Sequence, residues 1–114
     1  MILETEERWV ERGDVRFRVR IFGLYGERDV AMLPSLGRGS HDFDALAERV
    51  ALRGYRVILP EPRGIGGSTG KLDGQTLHDF AGDVAAVIET VCPAPVVLIG
   101  HAFGNRVEIG RAHV

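Results

Sequence analysis

Apolar and polar residues alternate cleanly at the start of the chain: Val15, Phe17, Val19 and Ile21 fall between Arg16, Arg18 and Arg20. A period of two places the apolar set on one face, so residues 15–22 are predicted to form a half-buried antiparallel strand. Residues 6–11 supply its partner strand. Arg12-Gly13-Asp14 makes the turn between them, with Gly13 able to take a positive φ. The three arginines are expected on a solvated face, paired across the hairpin with acids such as Glu7 and Glu11. Residues 29–33 form a short apolar strand. The period then lengthens: Phe43, Leu46, Ala47 and Val50 predict a helix, with an N-cap at Ser40 or Asp42 and Gly54 at its C-terminal end. Residues 55–60 read as the next strand. Thr76 caps a second helix with Leu77, Phe80, Val84, Val87, Ile88 and Val91 on one face and Asp79 at the capping-box position. Pro93 and Pro95 close it. The apolar run at residues 95–99 is too short for a lone helix and reads as a strand buried on both faces. Strand–helix–strand–helix–strand behind a hairpin predicts an α/β fold with a mixed, mostly parallel sheet and right-handed crossovers.

Composition narrows the function classes. At 114 residues the chain is one domain or part of one. A net charge of −2 supplies no basic field for nucleic acid or an anionic membrane. The N-terminus, Met1-Ile2-Leu3-Glu4-Thr5-Glu6-Glu7, is acidic where a signal peptide is basic. The single Cys92 excludes an internal disulfide, fits a reducing compartment, and has a packing role at the end of the second helix. A cytoplasmic protein with a small-molecule partner, and neither nucleic acid nor membrane, is the expectation. His41, His78, His101 and His113 lack Cys, His or carboxylate partners at ligand spacing, so no metal site is expected. His78, beside Asp79 near a helix start, suits a capping or surface role. The glycine-rich stretches at 64–67 and 100–104 fit neither G-x-G-x-x-G nor G-x-x-x-x-G-K-[ST], so no nucleotide cofactor is expected.

Candidate chemistry gathers at the last strand, which runs into Gly100-His101-Ala102-Phe103-Gly104. Glycines at the first and fifth positions let backbone crowd together where a Cβ would clash. Alone, this spacing also suits a tight turn in another parallel α/β fold. Two further stretches stand in order before it: the loop Pro34-Ser35-Leu36-Gly37-Arg38-Gly39 and the turn Glu61-Pro62-Arg63-Gly64-Ile65-Gly66-Gly67-Ser68. With all three, residues 6–107 resemble the N-terminal part of the α/β-hydrolase superfamily. The hairpin resembles its first two strands. The turn resembles its D-x-R-G-x-G-x-S after strand four, with Glu61 in place of Asp. Gly100–Gly104 resembles the G-x-S-x-G nucleophile elbow.

The resemblance implies a hydrolase acting on a small organic molecule without a cofactor. It puts Ala102 at the nucleophile position, with Gly100, His101 and Gly104 as the elbow. It assigns the backbone N–H of Phe103 to one half of the oxyanion hole and the Leu36–Gly37 region to the other, although the superfamily's usual His-Gly is missing from this loop. The superfamily's acid and catalytic histidine follow the elbow, where this chain has only residues 105–114. Truncation after the fifth strand is therefore expected. Residues 108–114 resemble one reading frame of a sequencing-adapter oligonucleotide and are expected to be a non-native tail, with residues 1–107 the hydrolase part. Ala102 leaves three readings open: nucleophile-free chemistry through a His–acid dyad, a non-catalytic small-molecule receptor, or an engineered or misread serine. The 114-residue chain itself is expected to be inactive.

Overall fold

The computed structural model describes residues 4–34, 38–71, 74–93 and 95–100. β1 (Thr5–Arg12) and β2 (Val15–Phe22) form the hairpin, with Arg12 opposite Val15 and Gly13 at φ 59° in the turn. β3 (Arg28–Leu33), β4 (Tyr55–Pro60) and β5 (Val97–Gly100) complete a five-stranded sheet in the order β1-β2-β4-β3-β5. β2 runs antiparallel to β4, whereas β3 is parallel to both β4 and β5. The mixed, mostly parallel sheet read from the sequence is thus the one formed.

Each face of the sheet carries one helix. Val19, Ile21, Ala31 and Ile58 pack with Val87, Ile88, Val91 and Cys92 of α2 (Leu77–Val91) and its C-cap. Val30, Met32, Val57 and Leu59 point the other way, onto Phe43 and onto Ala47 and Ala51 of α1 (Asp44–Leu52). Alternate residues of β3 and β4 therefore face opposite helices, which is why residues 30–33 and 57–60 are apolar without a break. Burying each such aliphatic side chain contributes roughly 1.5–3 kcal/mol. No helix among the described residues is long and apolar enough to cross a membrane.

Four expectations are corrected. The solvated arginine face holds for Arg16, but Arg20 is buried, because α1 and the short 3₁₀ turn before it cover that end of β2. Arg18 does pair with Glu7, at 2.9 Å. The first helix begins as a 3₁₀ turn (Ser40–Phe43) and neither Ser40 nor Asp42 caps it; the N-cap positions are Gly39 for the turn and Phe43 for α1. The Ser40 hydroxyl instead accepts hydrogen bonds from Arg20. Leu46, placed on the buried stripe by its spacing, is 44% exposed. The last strand is not buried on both faces: Val97 is 59% exposed and Leu98, Ile99 and Gly100 are half-buried, and among the described residues its one strand neighbour is β3. The second helix matches its prediction, with Thr76 and Asp79 exchanging both hydrogen bonds of a capping box.

Candidate active site

In a parallel sheet, ligands meet the loops that leave the C-terminal strand ends. Here those ends are Leu33, Pro60 and Gly100, and Leu33 pairs directly with Gly100. The register brings the first glycine of the elbow-like stretch beside the start of the loop that follows β3. Leu36, Gly37, His101, Ala102, Phe103 and Gly104 lie outside the described residues, as do residues 108–114. The elements that flank them are described.

The turn after β4 gives four of its motif residues, Glu61, Arg63, Gly66 and Ser68, a definite structural part. Glu61 is 1% exposed, and its Oε1 accepts the backbone N–H of Ser40 at 2.5 Å. Arg63 forks onto Asp83 of α2, Nε to Oδ2 at 2.7 Å and an Nη to Oδ1 at 2.9 Å. The hydrogen bond to Asp83, opposed by burial, holds the Arg63 guanidinium above its usual pKa. Gly66 sits at φ 57°, and a Cβ there would come within 2.1 Å of Glu61 Oε2, so only glycine fits beside this acid. The Ser68 hydroxyl donates to the Glu61 carbonyl at 2.8 Å and accepts from the Arg18 N–H at 2.9 Å. Together these bonds lash the turn to β2, to the loop after β3 and to α2.

Next to Ser40, Arg20 donates to the Ser40 hydroxyl and to Asp44 Oδ1, the latter at 2.7 Å, while His41 Nδ1 lies 2.9 Å from Asp44 Oδ2. Burial would raise the Asp44 carboxyl, but the hydrogen bonds from Arg20 and His41 outweigh it and hold its pKa below the usual carboxylate value. His41 is exposed on the 3₁₀ turn, and His78 is exposed in the first turn of α2. They belong to different elements, and the structure does not join them into one site. Among the described residues, no group of three or more His, Cys, Asp or Glu side chains is placed to hold a metal ion.

A cleft of about 850 Å³ opens at the other end of the sheet, lined by Arg28, Asp29, Arg56, Val91, Cys92 and Val97. These residues stand at or beside the N-terminal strand ends and the C-terminus of α2, away from the loops that carry the motifs. Burial, reinforced by Asp29, pushes the Cys92 thiol up to about 12, so it is an inert packing group.

A sequence model of the alpha/beta hydrolase fold matches residues 30–106, more than half of the chain. The chain belongs to the α/β-hydrolase fold family. Among curated relatives, a bifunctional esterase/perhydrolase from Acinetobacter calcoaceticus is 38% identical over 66 residues, covering 58% of this chain and 24% of that protein. A non-heme chloroperoxidase from Burkholderia pyrrocinia is 38% identical over 70 residues, covering 61% of this chain and 25% of its own. An epoxide hydrolase from Vigna radiata superposes with a TM-score of 0.80 at 26% identity, over 92% of this chain and 34% of the other. The match to this chain thus spans about a quarter of these relatives' length.

Two elements of the site were missed in the sequence. Glu61 was visible only as a substitution in a turn, and its burial depends on Gly66 leaving room for it. Asp83 carried a clearer signal. It lies three residues after Phe80 and four before Val87, inside the apolar stripe of α2, where an acid needs a cationic partner.

Proposed function

We propose that this chain is the N-terminal part of a cytoplasmic, cofactor-independent α/β-hydrolase-family protein that takes a small organic molecule at the C-terminal ends of β3, β4 and β5. Residues 1–107 are its hydrolase part and 108–114 a non-native tail. The observation that carries the reading is the pairing of Leu33 with Gly100, which supports an elbow beginning at Gly100 next to a donor loop leaving β3. In this arrangement the Phe103 N–H and the Leu36–Gly37 backbone would donate to a substrate oxygen that gains negative charge.

An alanine methyl cannot attack carbon, so no covalent intermediate forms at Ala102. Loss of a serine nucleophile costs up to about a million-fold in turnover, while oxyanion donors and binding still leave roughly a thousand-fold over water. Ala102 is the observation that favours a second reading, a non-catalytic receptor using the same pocket.

Restoring the hydroxyl with Ala102→Ser in the whole protein tests the elbow. Ser adds only one oxygen to the alanine it replaces in the proposed elbow. The variant is expected to hydrolyse p-nitrophenyl acetate and to be labelled by a fluorophosphonate at residue 102, whereas the parent is not labelled. If the variant neither reacts nor hydrolyses, the elbow reading fails. Saturable binding of a small ligand by the parent, without product, would select the receptor.

A further inference from the structure

Glu61 does more than open the turn after β4. The turn's own backbone hydrogen bonds are made without its carboxyl: Ile65 N–H donates to the Pro62 carbonyl, Ser68 N–H to Ile65, and Gly64 N–H to Thr69. Sinking a carboxyl to 1% exposure costs desolvation free energy that one turn does not require. What the carboxyl holds is a different segment. Its Oε1 takes the Ser40 N–H at 2.5 Å, while Oε2 has no hydrogen-bond partner among the described residues. Gly66 makes room for it: a Cβ at 66 would lie 2.1 Å from Oε2 and 2.4 Å from the carboxyl carbon. Ser40 is also gripped through its hydroxyl by Arg20, at 2.6 Å and 3.0 Å. The chain leaving the sheet at Leu33 is therefore clamped again at Ser40.

We propose that Glu61 is a positioning residue for the loop between β3 and Ser40, with Gly66 as the cradle that admits it. Its importance for the reaction rests on the oxyanion reading given above; the clamp itself rests on the geometry at Ser40.

The test uses the whole protein with Glu61→Gln, Glu61→Asp and Gly66→Ala, followed by amide hydrogen exchange. The same changes in an Ala102→Ser background are followed by kcat and KM for p-nitrophenyl acetate. Glu61→Gln keeps the volume and removes the charge; Gly66→Ala keeps the acid and displaces it. A hydrogen bond to a charged acceptor corresponds to roughly a tenfold or larger change in opening. Exchange at Ser40 should therefore rise at least about tenfold in both variants, while Ala31 and Ile58 stay protected. The value of kcat should fall by about tenfold at unchanged KM, with partial recovery in Glu61→Asp, which restores a carboxylate. Unchanged exchange at Ser40 overturns the proposal. So does a rise shared equally by Ala31 and Ile58, which would mark a loss of global stability, or a loosened Ser40 with undiminished kcat. If Ala102→Ser has no esterase activity in any background, the oxyanion reading fails, and Ser40 exchange alone decides for or against the clamp.

Discussion

Asp83→Asn is the most informative single change, because one carboxylate joins three elements. Asp83 is 5% exposed. It receives Arg12 from the end of β1 at 2.7 Å and both nitrogens of the Arg63 fork at 2.7 Å and 2.9 Å. The two arms differ in worth. The Arg12 side chain is 41% exposed, so its ion pair is screened and contributes about 0.5 kcal/mol or less. The Arg63 side chain is 18% exposed against 7% for Asp83, and breaking such a pair strands a charge at a cost of about 3 kcal/mol. Asparagine retains one acceptor oxygen but turns an amide N–H toward a guanidinium N–H, so most of that cost should appear. We expect Asp83→Asn to destabilise the protein by about 3 kcal/mol in urea denaturation with an unchanged slope. The loss should be nearly as large in 0.5 M salt, since buried pairs escape screening. Replacing both partners with apolar residues, Asp83→Leu with Arg63→Met, should recover much of it. A loss below about 1 kcal/mol that fades with salt would show that the pair behaves as a surface contact, and the reasoning would be wrong.

Two further outcomes follow from the electrostatics. Asp44 has a depressed pKa in the fold, so its contribution is present above the unfolded value of about 3.9 and is lost as pH falls through the folded value. Asp44→Asn should cost about 0.5 kcal/mol at pH 7, discounted because the side chain is 41% exposed. That difference should close in acid, and an undiminished gap at pH 2 in melting experiments would refute the assignment. Cys92, with its thiol pushed up to about 12, should resist iodoacetamide at pH 8 in the native protein and react promptly in urea. Native labelling at the rate of a free cysteine would contradict its buried setting.

How much of this could be read in advance depended on whether the signal was local. The apolar face of Val15, Phe17, Val19 and Ile21, the Thr76 capping box and the positive φ of Gly13 are set by neighbouring residues, and each is found as expected. The errors came from tertiary cover. Arg20 was assigned to solvent because a single strand does not reveal that a later helix will close over its polar face. The run before Gly100 was apolar enough for burial on both faces, yet Val97 is exposed and Leu98 to Gly100 are half-buried, with β3 the one strand beside them among the described residues. For the site, the three-motif order was legible enough to suggest the family that the match over residues 30–106 shows. The purpose of Glu61 was not, since the backbone N–H it serves lies 21 positions away.

The strand order also sets a timetable. β4 slots between β2 and β3, and β3 keeps its outer side for β5, pairing Val30 with Val97. On a ribosome, β3 and β4 emerge together with α1, but the partner for β3's free side arrives only after residues 61–96 have been added. At roughly 5–20 residues per second that interval is about 2–7 s. For that time Val30, Ala31, Met32 and Leu33 present open N–H and C=O groups along an apolar strand, a template for any other strand nearby. The same placement of β3 between β4 and β5 that brings Leu33 to Gly100 thus makes the nascent chain vulnerable to mispairing while α2 is still being made.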